Sequence, residues 1–284
     1  MRVGYGVTTS AAAFRDASEV TRHRARIDAV VSRSKSSLIV SHESAVVMLG
    51  LPWFGPLPER VLFTDPGRDR AQRLRFSDKV PARGRHVSTV AIDGIETTDL
   101  VETAVDVALR ADRGHAIVVL DAVLRRGASR ELLLVELSRR THRRGVARAR
   151  RLIEIADGSN ESPGESLTHL VAHDVGLPAP VLQHEFRVVG RFVARVDFWF
   201  PEQGVVIEFD GLAKYRDRTL RGTRTPEDVV VDEKLREDAV RSLPEVRGFG
   251  RVTWRDVLPG GAAPTVFAHA GLPVSRVVRT TPPW

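Results

Sequence analysis

Alternation of apolar and polar positions is clearest between Arg195 and Gly211. Val196, Phe198 and Phe200 share one parity, and Val205, Ile207 and Phe209 share one on the return. Period two marks a strand with one face buried, and Pro201-Glu202-Gln203-Gly204 reads as the loop between two such strands. If Phe200 pairs with Val205, Asp197 lies opposite Glu208 and Arg195 lies opposite Asp210. Opposed residues share a face, with Cβ atoms about 4.5–5.5 Å apart. The six apolar side chains then line one face, and Asp197, Glu208 and Asp210 crowd the other. Crowded like charges destabilise a sheet. Either a hard divalent cation such as Mg²⁺ offsets them, or the face is acidic and solvated.

The rest of the chain reads as alternating helices and strands. Helices are predicted over 16–31, 42–49, 99–109, 115–124 and 130–139, with Ser41 as an N-cap and Gly50 and Pro52 closing the second. Strands are predicted at 38–40, 60–64 and 86–90, with a turn at Gly94 and a basic loop over 66–85. Asp157 to Gly164 is dense in helix breakers and marks a domain boundary, giving units 1–157 and 158–284. Beyond it come a helix over 165–175, strands over 183–189, 192–200 and 205–210, and a turn at Gly190-Arg191. An irregular basic stretch, 212–226, follows. A helix over 227–243 has Val230, Val231, Leu235, Ala239 and Leu243 as its apolar side. The chain then reads as a strand over 246–253, a short helix from Trp254, and a peripheral tail from Pro259. The fold class is α/β (α+β).

No apolar run approaches the ~20 residues of a membrane span, and the start has no signal-peptide apolar region. The chain has no cysteine, which excludes disulfides, thiol nucleophiles and cysteine zinc sites and fits a cytoplasmic location. The net charge of +7 favours a polyanionic partner such as nucleic acid. Seven arginines between Arg139 and Arg151 read as a phosphate clamp or as a solvated helix face and loop. Lysine is scarce, at Lys35, Lys79, Lys214 and Lys234, so the two that follow the acidic strands stand out as titratable amines. His42 in Ser41-His42-Glu43-Ser44 reads as a capping or packing histidine rather than a catalytic one. Trp199 on the acidic face reads as packing under the 212–226 stretch, or as a base-stacking side chain.

The helix–strand–strand–strand–helix–strand order over 165–257, with Asp197-Phe198 and Glu208-Phe209-Asp210-Gly211, resembles the PD-(D/E)XK nuclease superfamily. The closer likeness is to its very-short-patch-repair endonuclease branch. Glu165 matches an acid on the first helix. Glu233 to Asp238 match a charged helix, and Arg251 to Val257 match an Arg-x-Thr-Trp-x-Asp-Val ending. The likeness covers roughly 158–258. It implies a restriction-endonuclease-like mixed sheet flanked by helices and metal-assisted phosphodiester hydrolysis of DNA with Mg²⁺ or Mn²⁺. Asp197 and Glu208 are implied as metal ligands, Asp210 and Glu165 as ligands or supporting groups, and Lys214 or Lys234 as the group that orients water or stabilises the phosphorane. In the superfamily's name motif a lysine stands two residues after the second acid; here that residue is Asp210.

The first half carries a second likeness. Arg2 to Val7, Ser41 to Pro52 and Thr98 to Asp106 resemble actinobacterial AbiEi-type antitoxins of type IV toxin–antitoxin systems. Such proteins usually open with a winged helix-turn-helix ahead of the segment that here starts at Met1, so the likeness implies that the DNA-reading unit is missing from this chain. It also implies a toxin protein as partner, and a non-catalytic regulator or antitoxin as the alternative function.

Overall fold

The computed structural model describes residues 2–4, 7–8, 10–34, 38–140, 144–211 and 226–275. The chain divides into two compact units, Met1–Gly158 and Ser159–Trp284. Helices and mixed sheets occur in both, an α/β fold.

The first unit opens with the short strands β1 (Arg2–Gly4) and β2 (Val7–Thr8), then α1 (Ala11–Asp16) and α2 (Glu19–Val31). β3 (Ile39–Val40), α3 (His42–Met48), β4 (Val61–Asp65), β5 (Gln72–Arg73), β6 (Ser77–Pro81), β7 (Thr89–Ile92) and β8 (Ile95–Thr98) follow. Strands β3 to β8 form one mixed sheet in the order β5-β6-β4-β3-β8-β7. Four helices complete the unit: α4 (Leu100–Arg110), α5 (Arg113–Arg125), α6 (Arg130–Ser138) and α7 (Val146–Ile155). Asp99, Asp112 and Ser129 cap the first three, each side chain accepting the N–H three residues on.

Three expectations change here. The basic stretch 66–85 is not all loop, because β6 pairs in parallel with β4 from Val61–Ser77 to Asp65–Pro81. Ser77-Asp78-Lys79 carries no apolar alternation, so only the long-range ladder makes it a strand. Arg140 is neither clamp nor solvated. Its side chain is fully buried, and its guanidinium lies 2.7 Å from Glu102, 3.2 Å from Glu136 and 3.3 Å from Asp106. His42 is buried in left-handed backbone at φ 54°, with Nδ1 2.8 Å from the Ser41 hydroxyl. Ser41 holds the N-cap position of α3, but its side chain makes no capping hydrogen bond.

The second unit runs α8 (Pro163–Asp174), β9 (Val181–Val188), β10 (Arg191–Phe200), β11 (Val205–Asp210), α9 (Pro226–Arg241), β12 (Gly248–Thr253), α10 (Trp254–Val257) and α11 (Ala263–His269). The sheet order is β12-β11-β10-β9. β9, β10 and β11 are antiparallel in turn, and Phe200 pairs with Val205 as the alternation predicts. β11 and β12 are parallel, and the crossover such a pair requires contains α9.

The acidic parity is only partly solvated: Glu208 is buried, whereas Asp197 and Asp210 are half-buried. Trp199 and Val206 on it are buried with Phe186, Val240 and Leu243, so Trp199 is core beneath the end of α9. α8 comes so close to β11 that a Cβ on Gly164 would lie 2.0 Å from the Phe209 ring. Two further expectations fail. Leu235 is 62% exposed, because the α9 residue that reaches the sheet there is Arg236. Residues 259–275 are no peripheral tail: α11 buries Ala263 and Phe267 completely, and Pro264 stands at its start. The remainder of that tail, 276–284, lies outside the described residues. Among the described residues no helix is long and apolar enough to cross a membrane.

Candidate metal and nucleic-acid site

Asp197 comes from β10, Glu208 and Asp210 come from β11, and all three line one cleft of about 370 Å³. Parallel pairing adds Arg251, which sits opposite Glu208 on β12. Gln183, Arg195, Glu233 and Arg236 complete its polar wall, and Phe192 and Phe209 add apolar surface. Four carboxylates and three guanidiniums therefore face one another among the lining residues.

Their partners differ. Asp197 accepts a hydrogen bond from the Phe209 N–H at 2.8 Å, which ties β10 to β11. Arg236 forks Glu208, donating to one carboxylate oxygen at 2.8 Å and to the other at 2.7 Å. It also donates to Glu233 at 2.7 Å. Glu208, and after it Glu233, raises the Arg236 pKa above its ordinary value. Arg251 donates to Glu233 and Glu237 at 3.0 Å and stands 3.6 Å from Glu208. Arg195 pairs with Glu161 at the rim.

Glu165 is not in the wall of the cleft. It lies in the first turn of α8, where its carboxylate accepts from the Ser162 hydroxyl and the Glu161 N–H at 2.7 and 2.8 Å. Its second oxygen also accepts from the Gln183 side chain at 2.8 Å, so it reaches the cleft only through Gln183. Lys234 is exposed and absent from the wall. Lys214 lies outside the described residues.

No family model and no solved structure matches the chain. Two curated relatives do: the uncharacterized protein MT2308 of Mycobacterium tuberculosis strain CDC 1551 / Oshkosh and the uncharacterized protein Rv2248 of strain ATCC 25618 / H37Rv. Each is 35% identical over 179 residues, 58% of this chain and 64% of the relative. The chain thus spans just under two thirds of the relatives' length.

The donor chemistry suits a divalent cation, since three carboxylates supply hard oxygens. The arrangement suits it only after Arg236 lets go of Glu208, for the fork takes both oxygens. As they stand, no three acidic or histidine side chains among the described residues are set to hold an ion.

Arg236, Arg251 and Gln183 line the cleft without being singled out by the sequence pattern. Arg251 becomes legible once β12 is placed parallel to β11 in its observed register. Gln183 has left-handed backbone at φ 51° inside β9, between the His184–Val196 and Leu182–Phe198 pairs. Nothing in a single sequence announces that distortion, which commonly accompanies functional sites.

Proposed function

We propose that the second unit is a divalent-metal-dependent DNA endonuclease with Asp197, Glu208 and Asp210 as its cation ligands. One observation supports this most: the three carboxylates line a single cleft that also carries three arginines. The sheet carrying them has the element order that resembles the PD-(D/E)XK superfamily. A bound Mg²⁺ or Mn²⁺ would polarise a phosphate oxygen and lower the pKa of a bound water. Arg195 and Arg251 hold and orient the backbone phosphate. Glu165 fixes Gln183, and Gln183 shapes the wall beside Asp197. Asp210 stands where the superfamily carries lysine, and a carboxylate there can accept a proton from water, which an ammonium cannot. Of Lys214 or Lys234, to which the likeness assigns orienting water or stabilising the phosphorane, Lys234 is exposed and off the wall and drops out of that role, which leaves it with Lys214. The absence of cysteine fits a cytoplasmic setting.

A second reading is a non-catalytic nucleic-acid-binding regulator or antitoxin, with a toxin protein as partner. The Arg236 fork favours it, because a permanent counter-ion on Glu208 leaves that residue unable to hold a cation. Supercoiled plasmid incubated with the purified chain and Mg²⁺ or Mn²⁺ separates the two. The nuclease reading expects nicking, reduced about a hundredfold or more in Asp197→Asn and Glu208→Gln. Plasmid left intact, or cut equally by both variants, sinks it.

A further inference from the structure

Val188 pairs with Arg191, so the β9–β10 hairpin closes through Val189 and Gly190 alone. Their φ angles are 48° and 76°. Two left-handed residues in succession suit a primed hairpin turn, for which Asn-Gly is the favoured pair. A β-branched residue in that region is an outlier, because its Cβ crowds the backbone. Val189 is also 97% exposed, so no burial offsets the strain. Val188 is 46% exposed and Phe192 is 56% exposed. The hairpin tip is thus unfavourable to the folded chain on two counts, strain and hydration. Strain kept at such a position points to a ligand.

Charge says what kind. Arg187, Arg191 and Arg195 are exposed around these side chains, and the Arg187 guanidinium stands 6.0 Å from the Phe192 ring centroid. A register shift between Phe192 and Ala194 marks a bulge in β10, a device that re-aims side chains. Phe192 and Arg195 line the acidic cleft, so the tip and the cleft form one surface. Apolar and aromatic side chains flanked by arginines match the wedges that enter base steps while cations hold the phosphates.

We infer that the β9–β10 tip is a wedge for duplex DNA, with Val189 and Phe192 entering between base pairs and Arg187 and Arg191 on the flanking phosphates. This rests on reading the neighbouring cleft as a nucleic-acid site, and it specifies a duplex opened at the bound step. The test uses the full chain and a short DNA duplex carrying 2-aminopurine, whose fluorescence rises on unstacking. The wild type should raise that fluorescence without added metal. Val189→Asn, which suits the turn better and so keeps the fold, and Phe192→Ala should abolish the rise and weaken binding about tenfold. No rise with the wild type overturns the wedge, as do variants that bind and unstack like the wild type. Unstacking without Mg²⁺-dependent cleavage of plasmid removes the nuclease reading and leaves the wedge. Cleavage with unaltered binding by the tip variants does the reverse.

Discussion

Single side chains decide the electrostatics of both units. In the first, Glu102, Asp106 and Glu136 surround Arg140, and Arg85 joins Glu102. Burial, the dominant cause, pushes Glu102 up from 4.5 to about 7. His23 moves the other way: burial first, then Arg26, lowers it from 6.5 to about 4. The unfolded chain takes up the His23 proton before the folded chain does, so this residue makes stability fall as pH drops below 6.5. The folded chain keeps the Glu102 proton after the unfolded chain releases it, so this residue makes stability fall as pH rises from 4.5 toward 7. Over the shared window the two slopes offset. Urea unfolding of Glu102→Gln should show stability rising with pH there, and His23→Gln should show it falling. Flat profiles in both variants would contradict these assignments. Asp197, Glu208 and Asp210 were legible in the sequence because strict alternation sorts a strand's residues by face. Arg236 was not, since its partner lies 28 positions away and its neighbour Leu235 looks like the core residue.

Among elements, the strands of the acidic hairpin declared themselves, while β6 and α11 did not. β6 exists because β4 offers it a ladder, and α11 because β12 offers it a surface. Local composition suggested loop in both cases. The α11 docking is close enough to test at one position. A Cβ added to Gly248 would lie 1.9 Å from the Ala270 carbonyl oxygen, a backbone atom that cannot rotate away. Gly248→Ala should therefore destabilise the second unit by about 3 kcal/mol, seen as a lower urea midpoint in tryptophan fluorescence. An unchanged midpoint would mean that the segment after Pro259 is not packed on β12.

At the scale of the molecule, the chain has two compact units, and the acid cleft belongs wholly to the second. On the nuclease reading, the net charge of +7 suits a phosphate backbone as partner, and the cleft carboxylates would hold the cation that meets it. What the sequence left open is how the carboxylates are balanced. Arg236 balances Glu208, and on the nuclease reading a cation must take its place. Titration of the full chain with Mn²⁺, followed by electron paramagnetic resonance of the free ion, tests this most directly. Saturable binding is expected in the wild type, with about tenfold tighter binding in Arg236→Ala, where the competitor is gone, and loss of that binding in Asp197→Asn and Glu208→Gln. Equal Mn²⁺ uptake by all four proteins, or none by the wild type and Arg236→Ala, would contradict it.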